Sequence, residues 1–382
     1  MNRTIKKAYL PLLLGSLFLC GLSPANAQAE TETKTKANAE ATAKPTSKPK
    51  VTVKPTTKPK DKEVTITISA AGDCTFGSDR ISTSSANFYS VYNRVKDNRY
   101  FFRKVSSIFK NDDMTIVNLE GTLTNRGERA DKKYAFRGKP SYAKILKKGH
   151  IEAVSFANNH CKDFGNVSYR DTRATLEKYD ISYASYGKTG IYRTKGKRIG
   201  MVATDETYQS YSTCKNQIRS GIQKLKKKKV DLIIVSLHSG IEYTSEPTYE
   251  QKSLSHYAVK KGANLVLGHH PHVLQGIEKY RGAYIVYSLG NFCFGGNTNP
   301  PDKDTMIFQQ TFTFKGDKLL KKQSPAKIIP CSVSSRRDIN NYQPKPVSGK
   351  RYRKILNRVA RYSRSLGTSF VTKKGKKTCV LR

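Results

Sequence analysis

The stretch Gly268-His269-His270-Pro271-His272 is the most informative part of this 382-residue chain, because it holds three of the seven histidines. It follows an apolar run at 264–267, which predicts a loop leaving the end of a strand. Histidine is the commonest metal ligand among side chains. His270 and His272 have i, i+2 spacing and could direct two imidazoles at one point. The pattern therefore favours a metal site.

Earlier in the chain, polar side chains also follow directly after apolar, β-branched segments. They are Asp73 in A-A-G-D, Glu120 in V-N-L-E-G, Asn159 and His160 in F-A-N-N-H, and His238 and Glu242 in L-H-S-G-I-E-Y. Ligands of α/β folds gather at the carboxyl ends of strands, so we expect these groups to meet in one pocket. Carboxylates, an amide and imidazoles suit Mn, Fe or Zn, with one or two ions bound.

The chain between Val64 and Ser335 alternates strand patterns with helix patterns, which predicts one α/β domain. Helices are expected near 100–109, 141–148, 168–179, 216–229 and 248–261. Strands are expected at 63–71, 114–118, 152–157, 197–204, 230–237, 264–267, 284–289 and 305–314.

The first 27 residues have the pattern of a secretion signal. Arg3, Lys6 and Lys7 precede an apolar stretch at 8–22, and Ala25-Asn26-Ala27 matches a cleavage site. An uncleaved membrane anchor and a lipid anchor through Cys20 are the alternatives. We expect an extracytoplasmic protein, either secreted or associated with the cell wall or membrane.

Two basic segments flank the predicted domain. Residues 28–63 are rich in Lys, Pro and Thr and are predicted to be a disordered, extended linker. Residues 336–382 hold 15 Lys or Arg and one acid, Asp338. Within them Ile355, Leu356, Val359 and Leu366 predict a helix packed on the core with a basic outer face. Binding to a membrane surface is the alternative for this helix.

The formal net charge of +41 favours a polyanion as partner. An exported chain meets teichoic acids, anionic lipids or an exported acidic polymer, so we expect no nucleic-acid partner. The chain has no nucleophile elbow, no Walker lysine motif and no G-x-G-x-x-G. These absences disfavour a serine hydrolase, a nucleotide-driven ligase and a dinucleotide enzyme.

Three cysteines neighbour the site motifs, namely Cys74, Cys161 and Cys293. Cys74 and Cys161 could pair, or one thiolate could be a metal ligand. The favoured interpretation is that they are small residues filling the bases of the loops.

The ordered motifs A-G-D, V-N-L-E-G, A-N-N-H-x-x-D-F-G, H-S-G-I-E-Y, G-A-N-L-V-L-G-H-H-P-H-V-L-Q and Y-S-L-G-N-F resemble the CapA family of capsule-synthesis proteins, which is linked to poly-γ-glutamate biosynthesis. The resemblance covers 64–314. It implies a four-layer α/β/β/α sandwich of metallophosphoesterase type. It also implies an extracytoplasmic role in making, exporting or retaining an anionic capsule polymer, with a membrane complex for capsule synthesis as a candidate partner.

The resemblance also implies roles for single residues. Asp73, Glu120, Asn159, His238, His270 and His272 match metal ligands, with His269 as an alternative register, and His160 matches the group that contacts the scissile bond. Asp163 is expected to orient His160, Glu242 is a further catalytic candidate, and Asn291 is a candidate donor at the rim. Two positions depart from the phosphoesterase pattern: Thr75 replaces the histidine of D-x-H, and Glu120 replaces an aspartate.

Three functions remain open from the sequence. The first is a capsule-synthesis factor that handles an acidic polymer with an active or vestigial metal site. The second is a metal-dependent phosphodiesterase of the cell envelope, and the third is a non-catalytic basic protein that binds the cell wall.

Overall fold

Two stacked β-sheets form the centre of the fold in this computed structural model, which describes residues 62–79, 81–321, 323–372 and 379–381. The predicted signal peptide and nearly all of the predicted linker lie outside the described residues. The strands are β1 (Glu63–Thr75), β2 (Ser78–Asp79), β3 (Met114–Leu119), β4 (Thr122–Leu123), β5 (Phe136–Gly138), β6 (Ala153–Phe156), β7 (Ser182–Ser185), β8 (Gly190–Thr194), β9 (Lys197–Asp205), β10 (Leu232–His238), β11 (Leu265–His269), β12 (Ile277–Tyr280), β13 (Ala283–Val286), β14 (Asn291–Phe294), β15 (Asp304–Lys315), β16 (Lys318–Leu319), β17 (Lys327–Ser332), β18 (Lys345–Pro346), β19 (Phe370–Thr372) and β20 (Cys379–Leu381).

Helices pack against both sheets. They are α1 (Phe88–Val95), α2 (Ser106–Phe109), α3 (Ala143–Lys148), α4 (Gly165–Lys178), α5 (Tyr211–Lys227), α6 (Tyr249–Lys261) and α7 (Gly349–Arg364), with a 3-10 turn at Pro140–Tyr142. No helix among the described residues is long and apolar enough to cross a membrane.

The first sheet has the strand order β19-β20-β17-β15-β1-β3-β6-β7, and the second has the order β12-β13-β11-β10-β9-β8. Strands β1, β3, β6 and β7 are parallel, as are β9, β10, β11 and β13. Strand β10 is buried along its whole length and is apolar except for Ser236 and His238. This is the composition expected of a parallel strand covered on both faces.

Three apolar clusters separate four layers. The central cluster joins the inner faces of the two sheets through residues such as Ile68 and Ile234. A second cluster packs α1, α3 and α4 on the first sheet, and a third packs α5 and α6 on the second. The predicted four-layer α/β/β/α sandwich is confirmed.

Most predicted elements are present, but the helix expected near 100–109 is shorter than predicted. Only Ser106–Phe109 is helical, and 100–105 form turns with hydrogen bonds such as Val105 N–H to Phe102 O. The adjacent side chains of Phe101 and Phe102 are both fully buried, which a helix packed by one face does not achieve. Helix α1 was not predicted, and neither were strands β2, β4, β5, β7, β8, β12, β14 and β16 to β20.

The basic C-terminal segment joins the main fold. Helix α7 buries Ile355, Leu356 and Val359 in the central cluster, whereas Leu366 lies beyond its last residue. Strands β18 and β20 pair with β17 of the first sheet. Part of the positive charge on α7 is paired, since Arg358 lies 2.6 Å from Asp302.

Gly268 allows a close backbone approach at the end of β11. A Cβ atom at this position would lie 1.9 Å from the carbonyl oxygen of Tyr287. We expect Gly268→Ala to lower the free energy of unfolding by about 3 kcal/mol, because backbone must move to admit the methyl group. The control Gly282→Ala meets nothing within 4 Å and has a φ of +88°, so it should cost only about 1 kcal/mol. Equal losses in urea unfolding of the two variants would contradict this explanation.

Asp112 makes stability depend on pH. Burial raises the pKa of its carboxyl group to about 7, although Thr115 Oγ1 donates to Asp112 Oδ2 at 2.7 Å. The folded state therefore binds more protons than the unfolded state between about pH 4 and pH 7. This group consequently lowers the free energy of unfolding as pH rises through that window. Asp112→Asn should flatten this part of the stability profile measured by urea unfolding, and an unchanged slope would contradict the assignment.

Candidate metal centre

The polar residues predicted from the sequence converge at one end of the two sheets. Asp73 lies near the end of β1, Glu120 follows β3, and the Asn159-His160 pair follows β6. From the second sheet, His238 ends β10 and His269 ends β11, with His270 and His272 in the loop that follows. Each sheet therefore supplies about half of the cluster.

The Asp73 carboxylate is fully buried at the centre of the cluster. Its Oδ1 atom accepts from Asn118 Nδ2 at 2.9 Å and lies 3.1 Å from His269 Nδ1. Its Oδ2 atom lies 3.4 Å from His272 Nδ1 and accepts from the backbone N–H of His270 at 3.3 Å. One carboxylate thus joins β1 and β3 to the histidine loop.

Asn118 is a central residue that the sequence analysis missed. Besides Asp73, its Nδ2 atom lies 3.3 Å from Glu120 Oε2 and 3.3 Å from His238 Nδ1. A signal for it existed in V-N-L-E-G, because residues i and i+2 of a strand point to the same side. Asn118 and Glu120 have this spacing.

Two groups of side chains have the ligand atoms and proximity to hold a cation. In the first, ligand atoms of Asp73, Glu120 and His272 lie within 4.8 Å of one another. In the second the same holds for Glu242, His270 and His272. His272 belongs to both groups.

Asn159 and His238 lie beside the second group. Asn159 Oδ1 is 3.0 Å from His238 Nε2, and the rings of His238 and His270 are 4.9 Å apart. His269 instead faces Asp73, as described above, and Asn291 Oδ1 lies 2.9 Å from His272 Nδ1. All predicted ligands are therefore within one cluster, and their roles toward a metal remain predictions.

The histidine loop is held in an unfavourable backbone conformation. His270 has a φ of 97° and His272 a φ of 57°, both in a region that side chains other than glycine rarely adopt. Such strain persists only where surrounding contacts fix it, and it is concentrated at functional sites. Here the contacts with Asp73 and Asn291 fix the loop.

Burial and neighbouring charges shift the pKa values of the ionisable groups in the cluster. Burial raises the pKa of Glu120 well above its usual range, and the charges of Asp73 and Glu242 add to this. Burial and the neighbouring His272 lower the pKa of His270 to about 4. For His272, burial alone would lower the pKa, but Glu120 and Asp73 outweigh it and raise the pKa to about 9.

Several buried ligand atoms in the cluster have no hydrogen-bond partner in the described structure. They are Glu120 Oε1, His269 Nε2 and His270 Nδ1. Leaving such atoms unpaired costs about 1–3 kcal/mol each, so a bound group is expected to satisfy them. Carboxylate oxygens and imidazole nitrogens in this arrangement fit a divalent transition metal.

His160 is oriented toward the cluster by a second carboxylate. Its Nδ1 atom lies 2.6 Å from Asp163 Oδ2, which leaves Nε2 facing Glu120 Oε1 at 3.9 Å. Lys132, which the sequence analysis missed, donates to Asp163 Oδ1 at 2.9 Å and to the Asn159 carbonyl oxygen at 2.9 Å. Lys132 lies in an irregular segment without a motif, so no pattern could have identified it.

Thr75 and the three cysteines near the site make contacts that support the fold. Thr75 Oγ1 donates to the backbone carbonyl oxygen of Glu120 at 2.6 Å, which supports the turn after β3. Cys74, Cys161 and Cys293 are free and buried in the apolar cluster under α1 and α3. The alternative of a Cys74–Cys161 disulfide is wrong, because the structure has both as thiols and packs them as core residues.

A cleft of about 340 Å³ opens over the cluster. Its lining includes His160, Glu242 and His272, and four aromatic residues contribute to it, namely Tyr134, Phe136, Tyr243 and Phe294. Tyr134 and Tyr243 are 50% and 57% exposed and stand at the mouth of the cleft. The cleft gives a substrate access to the side of His160 that faces Glu120.

Metal binding can be tested by thermal stability. We expect Mn²⁺ or Zn²⁺ at 100 times its dissociation constant to stabilise the chelator-treated protein by about 2.7 kcal/mol. Glu120→Gln should abolish most of this gain, because Glu120 offers an unpartnered oxygen to the cluster. The matched control is Glu278→Gln, since Glu278 pairs with His256 outside the cluster at 2.9 Å. A gain in the Glu120→Gln variant as large as in the native protein would exclude this ligand set.

Comparison with known proteins gives a consistent result. The family model described as "Bacterial capsule synthesis protein PGA_cap" matches residues 67–296. "Capsule biosynthesis protein CapA" of Bacillus anthracis is 30% identical over 274 residues, which are 65% of this chain and 64% of that protein. "PGA biosynthesis protein CapA" of Bacillus subtilis (strain 168) is 30% identical over 213 residues, 50% of this chain and 56% of that protein. The chain thus spans less than two thirds of the length of either relative.

The fold can also be aligned with a solved structure. A purple acid phosphatase from yellow lupin (Lupinus luteus) seeds aligns with a TM-score of 0.31 and 13% identity, over 78% of this chain and 56% of that chain. A similarity of this size carries no argument about function.

Proposed function

The chain belongs to the bacterial capsule synthesis protein (PGA_cap) family, and from this premise we propose that it helps to make, export or retain an anionic polymer such as poly-γ-glutamate. We further propose that it does so through the divalent-metal centre. One observation carries the proposal: Asp73, Glu120, His238, His270 and His272 form one buried cluster whose unpartnered atoms fit a cation.

A divalent ion bound there would polarise a phosphoryl or carbonyl oxygen and lower the pKa of a bound water. Asp73, Glu120 and His272 would hold it at one position, and Glu242, His270 and His272 at a second. His238 and Asn159 lie close enough to complete the second set.

The proton-handling group in this proposal is His160. The contact with Asp163 fixes its ring and tautomer so that Nε2 is the atom that faces the cleft. From this position Nε2 would first accept a proton from the attacking group and then pass it to the leaving group, while Asp163 stabilises the charged ring formed in between. Lys132 holds Asp163 in place through an ion pair at 2.9 Å.

A second candidate function is a metal-dependent phosphodiesterase of the cell envelope. The observation that favours it is the His160-Asp163 pair at the floor of a cleft of about 340 Å³, a size suited to a small ester. A third candidate, a non-catalytic wall-binding protein, is favoured by the net charge of +41 alone.

We propose an extracytoplasmic location, secreted or held at the wall or membrane. The support is the charged, apolar and small-residue pattern of residues 1–27. A membrane complex that synthesises the polymer is the partner this location would allow.

Polymer output in cells tests the proposal. We expect cells whose native gene is replaced by Glu120→Gln or His238→Ala to lose most of their extracellular polymer, because each change removes a proposed ligand. The matched control His256→Ala changes a histidine paired with Glu278 outside the cluster and should keep output near the native level. Normal output in both cluster variants would overturn the metal-dependent role.

The purified variants separate the candidate functions. Hydrolysis of bis(p-nitrophenyl) phosphate by the Mn²⁺-loaded native protein, lost in Glu120→Gln, would favour the phosphodiesterase. Lost polymer output without any such hydrolysis would favour the capsule factor.

A further inference from the structure

A second cavity lies beside the loop that carries Asn159 and His160. It has a volume of about 360 Å³ and shares no lining residue with the cleft over the metal cluster. Its walls combine cations with tyrosines, namely Lys162, Tyr169, Arg170, Arg173, Tyr186 and Tyr208. We propose that this tyrosine-arginine pocket binds successive carboxylates of an extended acidic polymer. The inference rests on the proposed function, which supplies the polymer.

The cations of the pocket are available to a ligand. Lys162 and Arg170 are exposed, and neither forms an ion pair with any residue in the described part of the chain. Lys162 lies 5.9 Å from the centre of the Tyr169 ring. Both side chains can therefore turn toward a carboxylate without giving up an existing partner.

Arg173 is held more rigidly at the base of the pocket. Its guanidinium lies 5.4 Å from the centre of the Tyr169 ring, and its Nε atom donates to Tyr183 OH at 3.1 Å. A guanidinium fixed through Nε can still offer its terminal N–H groups to the two oxygens of a carboxylate. It also loses less side-chain entropy on binding than a free arginine.

The acids near the pocket are already engaged. Asp171 pairs with Arg126, and Glu177 pairs with Lys188 at 2.6 Å. Asp205 is fully buried and lies 2.8 Å from Tyr186 OH. The pocket therefore has no acid in its lining and presents an uncompensated positive potential.

Two of the other cavities fit a run of carboxylates less well. The cleft over the metal cluster is lined by the exposed carboxylate of Glu242, which would repel such a chain, whereas its other acid, Asp79, pairs with Arg129 at 2.7 Å. In the cavity beside α7, Arg351 already pairs with Asp304 at 2.9 Å. Charge complementarity thus favours the tyrosine-arginine pocket over these two cavities.

The pocket is joined to the metal centre through one loop. Tyr186 OH lies 2.8 Å from the carbonyl oxygen of Asn158, the residue before the predicted ligand Asn159. Lys162 is two residues from His160, which is at most about 7 Å along an extended chain. A polymer held in the pocket would therefore have its neighbouring units close to the cleft where His160 is oriented.

Binding of a defined polymer to the purified full chain tests the inference. The probe is fluorescently labelled poly-γ-glutamate at physiological ionic strength, followed by anisotropy. The double variant Lys162→Gln/Arg170→Gln should bind about tenfold more weakly, because two charge-assisted contacts are lost. The control Lys227→Gln/Lys228→Gln removes the same charge at the exposed C-terminal end of α5 and should change affinity by less than about twofold.

Three outcomes would overturn the inference. The first is an equal loss in both double variants, which would show that net charge alone attracts the polymer. The second is unchanged binding in Lys162→Gln/Arg170→Gln, provided that its melting temperature matches that of the native protein. The third is displacement of the probe by polyphosphate or single-stranded DNA at equal charge concentration, which would exclude preference for carboxylates.

The binding experiment can fail independently of the polymer-output experiment that tests the proposed function. A failure here concerns binding by purified protein and leaves the effect of Glu120→Gln on polymer output unaltered. Conversely, normal output in Glu120→Gln cells would overturn the metal-dependent role while the polymer still bound the pocket.

Discussion

The buried carboxylate of Asp73 is the constraint on which the site depends. It accepts from Asn118 of the first sheet and faces His269 of the second, so it ties the two sheets together at one end. A buried charge is costly unless it is paired and hydrogen-bonded, and loss of one partner leaves that cost uncompensated. The separation of the two sheets at this end is therefore set by the reach of these side chains. The close backbone approach at Gly72, where a Cβ would lie 1.8 Å from the Gly290 carbonyl oxygen, fixes the same region from the other side.

The convergence of the site was predictable because it follows from strand direction. Parallel strands place their carboxyl ends at one edge, so motifs such as A-G-D and L-G-H-H-P-H that follow apolar runs must meet there. The fold class was predictable for the same reason, from alternating strand and helix patterns. The turns at 100–105 were not, because clustered aromatic residues resemble a helix locally while tertiary packing buries both Phe101 and Phe102.

Lys132 and Asn118 are the two residues of the site that were not predicted from the sequence. Lys132 contacts Asp163, 31 residues further along the chain, and only the folded arrangement brings the two together. Asn118 belongs to the motif V-N-L-E-G, but only the acid of this motif, Glu120, was predicted to be part of the site. The amide proved to be the group in contact with Asp73, Glu120 and His238 at once. Both residues act through other side chains; the i, i+2 spacing of Asn118 and Glu120 offered a signal for the amide, whereas Lys132 had none.

The charge of the molecule is divided between two kinds of surface. The metal cleft has the exposed carboxylate of Glu242 in its lining and lies over the buried acids Asp73 and Glu120, which suits a cation, although the chain as a whole is strongly basic. Long-range attraction of a polymer would thus come from the basic faces, while short-range chemistry would take place at the metal cluster. A polymer must then be held near the cleft by something other than the cleft itself. The tyrosine-arginine pocket, one loop away from His160, has the position and the charge for that role.

The two departures from the phosphoesterase pattern are linked in the structure. Thr75 cannot supply the imidazole of D-x-H, and instead its hydroxyl holds the backbone of Glu120. The histidine loop, however, carries three imidazoles, and one of them, that of His269, lies against Asp73 at 3.1 Å. An imidazole therefore stands beside the first carboxylate although β1 does not provide it. A different element of the fold thus places an imidazole beside Asp73, so the Thr75 substitution by itself does not argue against the proposed metal at this position.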